Sequence, residues 1–370
     1  MNGLIAGDVL EDIDEKIRGL FNVRVSFKES GSVYPTYIIG LNLNVKASFN
    51  ELRLFLKKYG LTPRLVADSR NSFNVGEAFL KISSLTPVKN HPVSINVILF
   101  LVTLATTAST GFYICLSGPF LEVYPESNIF LVSFGFTLSV IGITGLHELG
   151  HVLSLKKTGC ESSLPYFIPG IPILGLPTFG AVILQRTPPA NRDTLFDLGL
   201  SGPLTSFILS FIVITVGSLM SKMISPAYAE YLVEKYPGVS PLPVPILFLL
   251  IQSLIFPSST GVVFIHPIAY AGWLGLLITA LNLFPIGQLD GGHSARAVLG
   301  ERFSRYASYI SLILLIGLGY WLMALLVFLI SGLKNQGPLD DVSPISKIRI
   351  ILWGLSILLL VLSVTPLLIF

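Results

Sequence analysis

Between Lys235 and Asp290 the chain runs for 54 residues without a single Asp, Glu, Lys or Arg. A water-facing surface returns a charge every few residues, whereas a bilayer interior excludes charge, so this run points to membrane. Similar runs recur from Asn90 onward. Each that reaches about 20 residues is long enough to cross the hydrocarbon core as a helix. Spans are predicted at 94–118, 129–155, 197–221, 262–285, 304–332 and 348–369. The apolar piece 242–257 is shorter and bracketed by Pro241, Pro243, Pro245 and Pro257, so it reads as interfacial or re-entrant.

Composition agrees. Apolar residues make up 52% of the 370 and charged ones 12%, which excludes an ordinary soluble globule. The net charge of +3 is spread without a dense basic patch, which excludes nucleic-acid binding. Asp8, Glu11, Asp12, Asp14 and Glu15 crowd the first 20 residues, so no cleavable signal peptide is expected there. Cys115 and Cys160 form no disulfide framework.

Residues 1–90 are the charged part of the chain and read as a soluble α+β unit with a docking or regulatory role. A helix is predicted at 8–20, strands at 23–27 and 34–45, and a second helix opened by a Ser48/Glu51 capping box and stopped at Gly60. A further strand is predicted at 64–68. The fold class is therefore an all-α polytopic membrane protein of about six transmembrane helices plus a re-entrant or interfacial segment, with a small N-terminal α+β soluble domain. Residues 91–370 form its membrane domain, with a core at about 129–300.

The chemistry begins at His147-Glu148-Leu149-Gly150-His151, which closes the second span. A helix advances about 100° per residue, so two histidines four apart project from one face with their rings close, as a shared metal requires. Glu148 falls on the neighbouring flank, suited to holding a proton rather than the metal. Such a string also occurs by chance on soluble helices. Three ionisable groups in five apolar-flanked residues, however, demand a compensating partner, since each costs roughly 2.5 to 3.5 kcal/mol on insertion scales.

Two histidines leave a metal half-held. Asp290, the first charge after the 54-residue run, reads either as a helix-end aspartate beside the Gly291-Gly292 turn or as the missing third ligand; the incomplete half-site favours the ligand. His266 and His293 lack the helical spacing of the pair and read as structural. Metal bonds of about 2 Å require all ligands at one depth, so the spans ending at His151 and before Asp290 must run the same way. That parity keeps 242–257 from crossing. It puts seven Lys and Arg on the inner loops and five on the outer ones, and expects the N-terminal unit and the site's opening on the cytoplasmic side.

The HExxH on a membrane helix, followed by Asn282-Leu283-Phe284-Pro285-Ile286-Gly287-Gln288-Leu289-Asp290-Gly291-Gly292, resembles the site-2 protease family of intramembrane zinc metalloproteases. The likeness spans roughly residues 95–300. Pro165-Tyr166-Phe167-Ile168-Pro169, Thr178-Phe179-Gly180-Ala181, Gly202-Pro203 and His266-Pro267 ahead of Ala271-Gly272-Trp273 resemble its plastid, cyanobacterial and archaeal branch.

The resemblance implies one Zn2+ per chain held by His147, His151 and Asp290, with Glu148 as general base and Asn282 steadying the substrate or its oxyanion. It also implies single-pass transmembrane proteins as substrates. Two departures stand out. Gly40-Leu41-Asn42-Leu43-Asn44 only approximates the Gly-Asn-Leu-Arg of the plastid relatives, and Ser206 stands where many members carry Asn, so no role carries over to it.

The segment 164–183, rich in Pro and Gly, cannot be a regular helix. It reads as a re-entrant strand or loop that offers an edge to an extended substrate, or as a plain connector. Two other functions fit parts of the pattern: a membrane zincin cutting soluble peptides in an aqueous chamber, and a non-catalytic metal transporter or scaffold. The charge-free approach to Asp290 counts against the first, and uncharged terminal spans with an intact Glu148 against the second.

Overall fold

A computed structural model describes residues 7–29, 32–67, 76–85, 92–257, 260–331, 335 and 337–365. At the N-terminal end, α1 (Gly7–Leu20) leads into β1 (Asn22–Phe27) and β2 (Thr36–Gly40). Helix α2 (Val45–Lys57) then precedes β3 (Leu61–Val66) and β4 (Glu77–Ser84). The strands form an antiparallel sheet in the order β1-β2-β4-β3. Alternation buries Leu61, Pro63 and Leu65 of β3 on one face, where Ile13, Ile17, Phe49, Leu52 and Leu56 of the two helices cover them.

Two expectations are corrected here. The apolar run at 34–45 pairs as a strand only over Thr36–Gly40, because the chain turns at Asn42, whose side-chain oxygen accepts from the Asn44 N–H at 3.0 Å. Helix α2 consequently starts three residues before Ser48, with Asn44 at the N-cap, and Ser48 and Glu51 lie inside it rather than capping it. The predicted strand at 64–68 corresponds to β3, and Asp68 lies outside the described residues.

The remainder is mainly helical. Helix α3 (Val93–Cys115) is followed by the short α4 (Gly118–Val123), α5 (Ile129–Lys157) and a hairpin of β5 (Tyr166–Ile171) and β6 (Leu176–Val182). Then come α6 (Arg192–Met220), β7 (Lys222–Ile224), α7 (Pro226–Lys235), α8 (Ile246–Ile255) and β8 (Val262–Phe264). Helices α9 (Pro267–Leu283), α10 (Asp290–Gly317), α11 (Trp321–Ser331) and α12 (Lys347–Ser363) complete the chain.

Among the described residues three helices, α3, α5 and α6, are long and apolar enough to cross a membrane. Helix α9 has 17 residues, about 26 Å against a core of about 30 Å, and α8 has ten, about half the core thickness. The predicted single span at 304–332 is instead two helices. Helix α10 starts earlier, at Asp290, and kinks at Gly300, whose φ of 77° suits a residue without Cβ; the chain breaks at Gly319, φ 94°, before α11 begins. Of the predicted span 348–369, residues 366–369 lie outside the described residues.

The bundle centre is a seam of small residues. A Cβ on Gly217, Gly272 or Gly275 would meet Ala269, Ile214 or Ser210 within 2.1 to 2.5 Å, so α6 and α9 run antiparallel in backbone contact. Lipid offers no hydrophobic drive between helices, and close approach supplies dispersion instead. Phe136, Phe248, Trp273 and Leu276 fill the space beside the seam.

The hairpin leans on α3. Asn96 donates to the carbonyls of Leu164 (3.1 Å) and Pro165 (2.9 Å), and Thr106 donates to that of Pro177 (3.0 Å), midway along α3. These bonds satisfy backbone groups that a bilayer would otherwise leave unpaired.

Residues 337–343 form a strap between the two parts of the molecule. The Leu65 N–H of β3 donates to Leu339 O at 2.7 Å, while Leu339 and Asp340 donate to the carbonyls of Pro189 and Ala190 just before α6. Leu339 also joins the core of the N-terminal sheet. From the other side Arg296 of α10, 3% exposed, grips Asp341 with both Nη atoms, at 3.0 and 2.6 Å.

Candidate metal centre

Helix α5 carries His147, Glu148 and His151 in its last three turns, each 4% exposed. Helix α6 passes antiparallel beside them through Leu198, Gly202 and Ser206, and α10 begins at Asp290, so three helices meet at one point. Two pairs of glycines make the meeting possible. A Cβ on Gly202 would lie 2.2 Å from His151 Nε2 and 2.8 Å from His147 Nε2, so only a bare backbone can pass over the imidazoles. A Cβ on Gly199 would lie 2.4 Å from Asp290 O, and on Gly291 and Gly292 it would strike the carbonyls of Leu283 and Gly287 at 2.0 and 2.3 Å. The Asp290 turn is thereby folded tightly onto α6.

The donor atoms converge. His147 Nε2 is 3.1 Å from Asp290 Oδ2, His151 Nε2 is 3.2 Å from the same oxygen, and the two nitrogens are 3.1 Å apart. Zinc bonds of about 2.0 Å in tetrahedral array set neighbouring ligands about 3.3 Å apart, so the triangle has the size of one face of such a site.

The far sides of both rings are also held. His151 Nδ1 donates to Leu198 O at 2.9 Å; a carbonyl accepts only, so in the neutral ring the proton is on Nδ1 and the Nε2 lone pair faces inward. His147 Nδ1 lies 3.0 Å from Ser206 Oγ, which donates its own proton to Pro203 O and is free to accept. The Thr279 hydroxyl reaches Ser206 at 2.8 Å from α9. Two inward lone pairs and a carboxylate oxygen at van der Waals separation repel one another; a divalent cation among them removes the conflict.

Glu148 does not join the triangle. Its carboxyl approaches the Ile183 amide, the residue following β6. Gly145, one turn earlier, faces Phe167 of β5, so the hairpin lies along the Glu148 face of α5. Asn282 is half-buried in the last turn of α9, and among the described residues its amide has no hydrogen-bond partner and is not one of the converging donors. His266 instead caps α9, accepting from the Ile268 N–H at 3.3 Å, and His293 pairs with Asn335 at 3.0 Å. Cys160 is buried with Leu155 and Leu198, away from the donors.

Sequence reasoning missed Ser206, Thr279, the Leu198 carbonyl and the steric role of Gly202. The available signals were Ser206 in the place of the family's Asn and the Gly202-Pro203 pair inside a long apolar helix, where both residues weaken a helix and are kept for a reason of packing.

Residues 135–325, just over half of the chain and including all three donors, match the model of peptidase family M50. The chloroplastic probable zinc metalloprotease EGY1 of Oryza sativa subsp. japonica is 32% identical over 246 residues, covering 62% of this chain and 40% of the relative. EGY1 of Arabidopsis thaliana is 31% identical over 245 residues, 61% of this chain and 42% of the relative. The chloroplastic probable zinc metalloprotease EGY2 of Oryza sativa subsp. indica is 30% identical over 222 residues, 56% and 37%. The matches thus span about two fifths of these relatives' own length. No solved structure matches.

Proposed function

The chain belongs to peptidase family M50, the site-2 protease family, and from that premise we propose that it is a zinc endopeptidase that cuts peptide bonds within or beside the membrane-spanning segments of single-pass proteins. The observation that carries the reading is the triangle of His147 Nε2, His151 Nε2 and Asp290 Oδ2, at 3.1 to 3.2 Å edges and with both rings oriented from behind.

Zinc, when bound, acts as a Lewis acid toward a carbonyl and lowers the pKa of water toward neutrality. The chain's own residues do the rest. Ser206 and the Leu198 carbonyl keep the imidazoles from turning. Glu148, buried beside the ligands and outside their triangle, takes the proton of the attacking water and returns it to the leaving amine. Asn282, whose amide is unpartnered among the described residues in the segment that leads to Asp290, holds the substrate carbonyl.

A helical substrate hides its carbonyls, so it must unwind and find new backbone partners before it can be cut. The β5–β6 hairpin offers a strand edge for this beside Glu148, and its exposed Ile168 and Phe179 give an unwound apolar segment something to pack on. In this reading α3, α5, α6, α9 and α12 cross the bilayer and α10 and α11 go out and back as a hairpin, because Asn335 after α11 returns to Gly287 O while Tyr320 between the two helices meets Thr365 O at the far end of α12. Lys347 and Arg349, expected on the outer side, then lie on the inner one, where Arg349 pairs with Asp193 and Asp197. The N-terminal sheet and the site's opening lie on the cytoplasmic side, and the sheet acts as a docking or regulatory unit.

The test is cleavage of a single-pass substrate in liposomes by wild type and Glu148→Gln, with zinc measured in both. Zinc retained and cleavage lost in the variant is the expected outcome. Equal cleavage by both would refute the assignment.

A further inference from the structure

On the face of the bundle opposite the metal centre, α7 and α8 stand either side of an open groove of about 1330 Å³. Helix α7 turns Ala229, Glu230, Val233 and Glu234 into it, positions i, i+1, i+4 and i+5 of one helical stripe, and α8 turns Leu249 and Ser253. The volume exceeds the roughly 300 to 1,000 Å³ of small-molecule pockets, so the groove has the capacity for a polypeptide segment.

Its charge is one-sided. Glu230 and Glu234 are exposed and have no ion-pair partner among the described residues. The cations that could neutralise them are engaged elsewhere: Lys235 donates to Glu122 at 2.9 Å and to the Tyr231 hydroxyl at 2.7 Å, and Lys222 donates to Val123 O at 2.8 Å above the Tyr124 ring. An apolar trough with an uncompensated acidic rim fits an apolar segment that ends in basic residues.

The groove is also continuous with the catalytic face. Gly175, at the tip of the β5–β6 hairpin, lines it, and Tyr270 stands beside that tip. From the tip, β6 runs back through seven residues to Val182, and the next residue, Ile183, adjoins Glu148. Seven extended residues span about 23 Å. A substrate strand laid along the hairpin is therefore delivered from Glu148 into the groove.

We propose that this groove is a substrate exosite that seats the part of a membrane protein about seven residues from the scissile bond, and that Glu230 and Glu234 select substrates with Lys or Arg there. The proposal rests on the proteolytic reading above for what the occupant is.

The test uses the full chain in liposomes, carrying Glu148→Gln so that substrate is held and not consumed, with a photo-crosslinker at Val233. Two single-pass substrates differ only in a Lys or Glu triplet at the distant flank. The basic substrate should crosslink about three- to tenfold more, as two screened ion pairs allow, and Glu230→Lys with Glu234→Lys should reverse the order. In the cleaving enzyme the same swap should move KM and leave kcat. Crosslinking that ignores the flank charge, or that goes only to lipid, overturns the exosite. Charge-dependent crosslinking without any cleavage by wild type would sink the protease reading while upholding the groove's preference.

Discussion

The metal centre and the seat of the N-terminal sheet lie within a few helical turns of each other, and different forces hold them. Around the metal centre the contacts are steric and bare: Gly150, Gly199 and Gly202 bring backbone against backbone or imidazole at distances no Cβ would survive. Under the sheet the contacts are made by long, partly exposed side chains. Lys46 pairs with Asp193, Lys57 reaches Glu161 at 3.2 Å, and Arg53 reaches Thr158 O at 3.4 Å. Lipid rewards close approach because burial gains nothing there, while at the aqueous face apolar burial of Leu339 and strand pairing along β3 carry the attachment.

Mutations should separate the two regions. Gly202→Val, which drives a side chain into both imidazoles, should remove bound zinc altogether while helix content by circular dichroism persists; full zinc occupancy would break the steric account. Asp341→Ala leaves the buried Arg296 with only the exposed Glu301, 3.9 Å away, and should cost about 3 kcal/mol in detergent unfolding, with loosening of the N-terminal sheet seen by limited proteolysis. Ser206→Ala withdraws the acceptor behind His147 and should weaken zinc about 10- to 100-fold in a chelator competition, with stability little changed. Lys57→Ala removes an exposed pair, side chains 51% and 58% accessible, and should shift stability by no more than about 0.5 kcal/mol. A large loss there would contradict the picture of a seat held by the strap rather than by surface charge.

His147, His151 and Asp290 were legible because a membrane makes charge conspicuous: few ionisable groups stand in the apolar half of the chain, and the helical period does the pairing. The N-terminal helices and strands were legible by alternation. Ser48 and Glu51 misled because a capping signature states what a helix start would use, not where the chain turns, and Asn42–Asn44 turned it earlier. The span at 304–332 misled because hydropathy is blind to the breaks at Gly300 and Gly319. Ser206 was noticed only as a departure from the family's Asn and its role could not be read, since its partner is 59 positions away and one hydroxyl looks like any other.

Charge scarcity and spacing alone singled out an apolar, membrane-like half of this chain and, within it, two histidines, a glutamate and a distant aspartate as the candidate reactive set, because both are properties of residue type and order. Only the tertiary structure decided that glycines clear the space over the imidazoles, that a strap from before α12 extends the N-terminal sheet, and that the hairpin leads from Glu148 to an acidic groove. Those depend on contacts between segments far apart in the chain, and local propensity carries no information about which distant backbone will arrive.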